Sequence, residues 1–307
     1  SAAGLINHNR SMSSLEATWK YVFICSVGIA LAYIGILFAS AASGVGKTGD
    51  MSYDGLRIAF ENTDPIYLKI AFVLILTGYS SKLEVFPLYT IGVDANYVAP
   101  APVSAFLSTA LVNGGFIVFF RVYETMAASA IAGWINNVLV LTGMISLLAA
   151  AIYMQKASNL KRVFAYSTVE HMGLVLIALS FGKPGIYIAL IQVTVHSFVK
   201  SGLFIHAGIL HLMLLIVGEG RRGFATTVRV ICYSHTADLA NLIPLCGGLV
   251  ALVWFVALQI IGISRAHECS YGKAALAVLL PILLCCSCLA ITAAFFGAAL
   301  YGALGGR

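Results

Sequence analysis

Long apolar runs alternate with short polar or breaker-rich stretches along the whole chain. Eight runs lie near residues 19–41, 67–88, 103–123, 133–154, 163–182, 186–217, 239–263 and 274–301. Each is close to, or longer than, the roughly 20 residues a helix needs to cross a hydrocarbon core about 30 Å thick. The pattern predicts an all-α, polytopic integral membrane protein with about eight transmembrane helices. The sixth run is too long for one straight span, so it is expected to bend or to extend past the membrane surface. Polar separators fall at Lys47–Asp64, Gly92–Pro102, Lys156–Arg162 and Gly218–Arg222. Pro87, inside the second run, predicts a broken helix there, because proline removes a helix hydrogen bond and clashes with the preceding turn.

Composition agrees with that pattern. Of 307 residues, 60% are hydrophobic and 10% charged, with a mean hydropathy of +0.95, whereas soluble domains spend about a quarter on charged residues. Such a chain cannot cover itself with polar surface in water, but in lipid its outward face is expected to be apolar. The net charge of +6 sits mainly in loops. Lys156, Lys161 and Arg162 share one loop, and Arg221, Arg222 and Arg229 another. Two helices separate them, so both are placed on the same side, the cytoplasmic one. The loop between holds only Lys183 beside Pro184 and Gly185. No basic patch is interleaved with aromatics, which argues against a nucleic-acid partner.

The seven cysteines show no CxxC pair and no spaced Cys/His set, so neither a disulfide framework nor a metal site is expected. Cys285, Cys286 and Cys288 lie in an apolar run, where cysteine behaves as a small hydrophobe. Gly44-Val45-Gly46-Lys47-Thr48 lacks the spacing and the preceding strand of a phosphate loop, and no cofactor is expected. The chain opens on Ser1 without a signal-peptide pattern and reads as processed or truncated at its start. The linker-like stretch 218–223 divides it into a domain over 1–218, which carries the intramembrane ionisable groups, and a second over 219–307.

Those ionisable groups are the informative residues, since a lysine at a helix centre costs about 2.5–3.5 kcal/mol on insertion scales. Lys82 lies in the second run, with Glu84 two residues on and off its helical face. The break at Pro87 is expected to expose free carbonyl and amide groups beside the charge, as in transporter ion sites. The other reading of Lys82 is a side chain snorkelling to the surface. In the sixth run Gln192, His196 and Lys200 follow an i, i+4, i+8 spacing and share one face. An imidazole and an ammonium one turn apart suit a proton relay. His206 and His211 either extend that line or sit at the membrane surface. Glu170 and His171 either pass protons inward from the loop or form a satisfied pair near it. Asn113 can bond across helices or hold water, and Gly114 and Gly115 are expected to permit close packing.

Three stretches resemble a known family over about residues 15–215. They are Gly78-Tyr79-Ser80-Ser81-Lys82 through Ala105, Leu160-Lys161-Arg162 through Met172-Gly173, and His196-Ser197-Phe198-Val199-Lys200 through Phe204. They resemble the antiporter-like subunits shared by respiratory complex I, Mrp-type cation/proton antiporters and group 4 membrane-bound hydrogenases. Ser167-Thr168-Val169-Glu170-His171-Met172-Gly173, with Trp19-Lys20-Tyr21 and Cys25-Ser26-Val27-Gly28, is most similar to the hydrogenase branch. The resemblance implies proton or sodium movement driven by a redox arm. Lys82 matches the family's broken-helix lysine, and His196 and Lys200 its central pair. Departures accompany it. No counterpart of the glutamate that pairs with the broken-helix lysine is recognisable, nor is a second broken helix after residue 215. Asn113 stands where several relatives have lysine, and Tyr89-Thr90-Ile91-Gly92-Val93-Asp94 replaces His-Thr-Trp-Leu-Pro-Asp. Residues from about 223, including Thr227-Val228-Arg229-Val230, Ile243-Pro244 and Lys273 through Pro281, resemble instead a Yip-type domain associated with membrane organisation.

The expectation is therefore an ion-translocating subunit without a catalytic centre of its own, set among other membrane subunits of a redox complex in the cell's inner (cytoplasmic) membrane. Its pathway residues would be Glu170, His171, Gln192, His196, Lys200, Lys82, Glu84 and Asn113. The alternatives are a non-conducting scaffold or assembly protein with a Yip-like tail, and a free-standing antiporter.

Overall fold

The computed structural model describes residues 2–7, 11–44, 50, 52–157, 159–220, 222–237 and 247–281, with 283, 284 and 287. Arg221, Ile243-Pro244, Cys285, Cys286, Cys288, most of 274–301 and most of the Gly44–Thr48 stretch lie outside them. Among the described residues the elements are all helical. They are α1 (Ala2–Ile6), α2 (Met12–Ser43), α3 (Tyr53–Glu61), α4 (Pro65–Leu83) and α5 (Thr90–Val98). Helix α6 is composite: Ala101–Phe106, a widened π turn at Leu107–Leu111, and Val112–Ala127. Then follow α7 (Ala132–Lys156), α8 (Leu160–Leu179), α9 (Lys183–Ile216), α10 (Phe224–Ser234), α11 (Gly247–His267) and α12 (Tyr271–Pro281).

Among the described residues, seven helices are long and apolar enough to cross a membrane: α2, α4, α6 to α9 and α11. The chain is an all-α polytopic membrane protein. Helix starts follow from their capping residues. Ser11 accepts from the Ser14 amide at 3.1 Å, Asp64 from the Ile66 amide at 2.8 Å, and Asn159 from the Lys161 amide at 2.9 Å. Each cap satisfies an amide that has no partner within its helix. Pro65 stands in the first turn of α4, where its missing N–H costs nothing.

The chain forms two compact units, Ser1–Ser201 and Gly202–Arg307. The division falls inside α9, whereas the change of sequence character lies near residue 218. In the first unit, α2 crosses α4 where a Cβ on Gly78 would stand 2.4 Å from the Gly28 carbonyl. Likewise α7 crosses α8 where a Cβ on Gly143 would stand 2.6 Å from the Gly173 carbonyl. Helices meet this closely in lipid because van der Waals contact, not water exclusion, joins them. A core of Phe72, Phe116, Phe119, Leu139, Met172 and Leu176 fills the space among α4, α6, α7 and α8. In the second unit, α10 lies on α11, with Val230 against Gly262, and Lys273 reaches Glu219 at 2.5 Å.

Candidate ion pathway in the first unit

Helix α9 shows its polarity inside out. Tyr187, Ile191, Val195 and Phe198 are exposed, Phe198 by 75%, while Ala189, Val193, His196 and Lys200 are buried. The outer stripe suits lipid, and the inner one carries the ionisable groups, as the i, i+4, i+8 spacing predicts. His196 is 3% exposed and Lys200 6%. Lys200 Nζ donates to the Phe164 carbonyl at 2.5 Å and to Ser167 Oγ at 2.6 Å, and stands 5.3 Å from the Phe164 ring centroid. Helix α8 therefore solvates the ammonium with dipoles and a π face.

One turn along, the His171 and His196 rings lie 5.1 Å apart at 60°. Gln192 Nε2 and His171 Nδ1 are 2.9 Å apart. His196 also bonds the backbone of Ser108, within the π turn of α6, while its Nε2 has no partner among the described residues. Gln192, His171, His196 and Lys200 thus form one line across α8 and α9. Glu170 adjoins it through its charge on His171. Asn113 makes the cross-helix bond, donating from Nδ2 to Ser197 Oγ at 2.8 Å.

Lys82 lies at the end of α4, half-buried against α2. Its Nζ donates to Tyr21 Oη at 3.4 Å, stands 5.0 Å from that ring's centroid, and lies near the Cys25 thiol. Gly115 lets α6 close on it, since a Cβ there would stand 2.8 Å from Lys82 Cβ. Gly114 faces open space, so the expectation of close packing holds for one glycine of the pair.

The helix does break before Pro87, but its end is capped and not free, contrary to expectation. Ser80 O accepts from the amides of Glu84 and Val85, and Ser146 Oγ of α7 accepts from the Phe86 amide at 2.9 Å. Unpaired amides are too costly inside a membrane for the break to stay open. Glu84 occupies the left-handed C-cap position at φ 54° and is 4% exposed. Asn96 Nδ2 donates to its Oε1 at 3.0 Å, and Ser104 Oγ to Asn96 Oδ1 at 3.0 Å. Ser167, Ser146, Asn96, Ser104, Tyr21 and Cys25 were not singled out as site residues by sequence. Their only signal is a small polar side chain, or a phenol or thiol, within an apolar run.

His206 and His211 belong to the second unit, where each bonds within it. His206 Nε2 is 3.3 Å from Gln259 Nε2, and His211 Nδ1 is 2.9 Å from Thr227 Oγ1, itself 3.1 Å from His267 Nε2. No cluster fit for a metal ion occurs among the described residues.

The family described as NADH:quinone oxidoreductase/Mrp antiporter, TM, has a model that matches residues 1–260. The chain belongs to that family. The match runs past the linker at 218–223 and into the stretch that resembles a Yip-type domain. A hydrogenase-4 component F homologue of Methylacidiphilum infernorum is 35% identical over 205 residues, covering 65% of this antiporter-like chain and 43% of that protein. The NADH-quinone oxidoreductase subunit N of Ectopseudomonas mendocina is 31% identical over 190 residues, 62% of this chain and 37% of that one. The chain thus spans less than half the length of these relatives. Among solved structures, the membrane-bound sulfane sulfur reductase, an archaeal respiratory membrane complex, contains a chain with the same fold. The TM-score is 0.66 at 18% identity, over 98% of this chain and 67% of that one. The Mrp complex of a Dietzia species gives 0.61 at 21% identity, over 91% and 34%.

Proposed function

We propose that this antiporter-like chain moves protons, or sodium coupled to protons, as one subunit of a redox-driven membrane complex in the cell's inner membrane. Its partners would be other membrane subunits and the bilayer. The observation that carries the reading is the line Gln192, His171, His196, Lys200, held inside the first unit on the face of α9 turned from lipid. A buried ammonium held by a carbonyl and a hydroxyl among its partners can release a proton to a neighbour when the local field changes. The adjacent imidazoles can take it up and pass it on. Glu170 would feed the line from the loop side, with Lys82 at its far end.

The test is Lys200→Met in the natural full-length protein, with proton uptake followed in vesicles bearing the assembled complex. We expect coupled proton movement to fall at least tenfold with redox activity retained or uncoupled. Unchanged pumping by a correctly assembled complex would overturn the reading. That result would favour a non-conducting scaffold with a membrane-organising second domain over 219–307, a reading supported by the capped break before Pro87.

A further inference from the structure

Glu84 is out of place as a structural residue. It sits at φ 54°, a backbone conformation that disfavours side chains and suits glycine. It is a buried carboxyl in a membrane-spanning region, where such a group is costly without a use. Strain of this kind persists only where the surroundings hold it, and it concentrates at functional sites. Here they do hold it. A Cβ on Gly92 would stand 2.4 Å from the Glu84 carboxyl carbon and 2.5 Å from Oε1, so glycine there lets α5 close on the carboxyl in this position. One turn along α5, Asn96 grips Oε1, and Ser104 of α6 fixes the amide so that Nδ2 faces Glu84. Oε2 has no hydrogen-bond partner among the described residues.

The charge on Glu84 is felt on two sides. Lys200 is the cation that bears on its carboxyl, and Glu84 in turn acts on the phenol of Tyr21, which holds Lys82. Glu84 thus stands at the same helix end as Lys82, two residues on, while its carboxyl feels the charge of Lys200.

We infer that Glu84, held through Oε1 by Asn96, Gly92 and Ser104 with Oε2 left open, is the proton-carrying link between Lys82 and Lys200. The inference rests on the proposed translocation. In the step, an N–H bond of the Lys200 ammonium breaks and an O–H bond forms at Oε2, leaving a neutral amine and a carboxylic acid. That O–H then breaks toward a neutral Lys82, restoring the carboxylate and an ammonium. One proton moves, directly or along water, and no electron does. Asn96 and Ser104 are positioning residues: an amide cannot carry the proton but can fix which oxygen does.

Infrared difference spectroscopy on the assembled complex, with proton uptake in vesicles, tests this. Glu84→Gln should abolish one carboxyl band and lower uptake at least tenfold. Asn96→Ala and Lys200→Met should each shift that band, and Ser104→Ala should shift it less. Glu84→Gly removes the carboxyl but suits the backbone, so it should melt at the wild-type temperature or above while uptake falls as far. A Glu84 band unmoved by Lys200→Met, or wild-type uptake in Glu84→Gly, would overturn the link. If Lys200→Met abolishes uptake while Glu84→Gly does not, the link falls and translocation stands. If neither changes uptake, both fall.

Discussion

His171 and His196 face each other across α8 and α9 with their ring centroids 5.1 Å apart. Two imidazoles this close inside a membrane cannot both be protonated without strong mutual repulsion, and Lys200 adds a third positive charge to the same line. Under the proposed translocation, a proton held on one imidazole would therefore disfavour a second on its neighbour.

His196→Gln retains a polar side chain of similar reach but cannot titrate. We expect proton movement by the assembled complex to fall about tenfold or more, on the scale lost when a positioned acid–base group is removed. His196→Phe should do the same. A glutamine variant that pumps normally while the phenylalanine variant fails would reduce His196 to a hydrogen-bonding role.

Ser146 is fully buried and receives the Phe86 amide at 2.9 Å. Ser146→Ala leaves that amide unpaired in a dry region, at a cost of about 1–3 kcal/mol. Thermal unfolding in detergent should show a lower midpoint, and Ser146→Cys, a weaker partner, should fall between. An unchanged midpoint for the alanine variant would mean that another group caps the break.

Gly115 and Gly114 make a matched pair. Gly115→Ala pushes α6 away from Lys82, so proton movement should fall severalfold even where the complex assembles. Gly114→Ala meets nothing within 4 Å and should be neutral or slightly stabilising, since alanine favours helix over glycine by about 1 kcal/mol. Equal effects would show that the contact at Lys82 does not matter.

Much of this was legible in the sequence for a simple reason. Span length, the i, i+4, i+8 stripe on α9 and the break before Pro87 are properties of a single segment, and periodicity reports them. The family also showed in its motifs. What depends on two segments did not show. Ser146 caps the break from a helix some 60 residues downstream, and nothing near either residue announces it. The change from leucine to glycine at residue 92 read as a departure from the family. Its physical counterpart is Glu84, whose carboxyl fills the space a larger side chain would take. The π turn in α6 was equally hidden, because its residues, Leu107-Ser108-Thr109-Ala110-Leu111, are unremarkable helix formers.

That turn sets the phase of α6. A π turn acts as one inserted residue, which in an α-helix amounts to a rotation of about 100°. Ser104 before it and Ser108 within it address Asn96 and His196, while Asn113 and Gly115 after it address Ser197 and Lys82. A regular helix would bring only one of these sets into register. Shortening the turn by a single residue would dephase the two halves, and the contacts made from before the turn and from after it could not be kept at once.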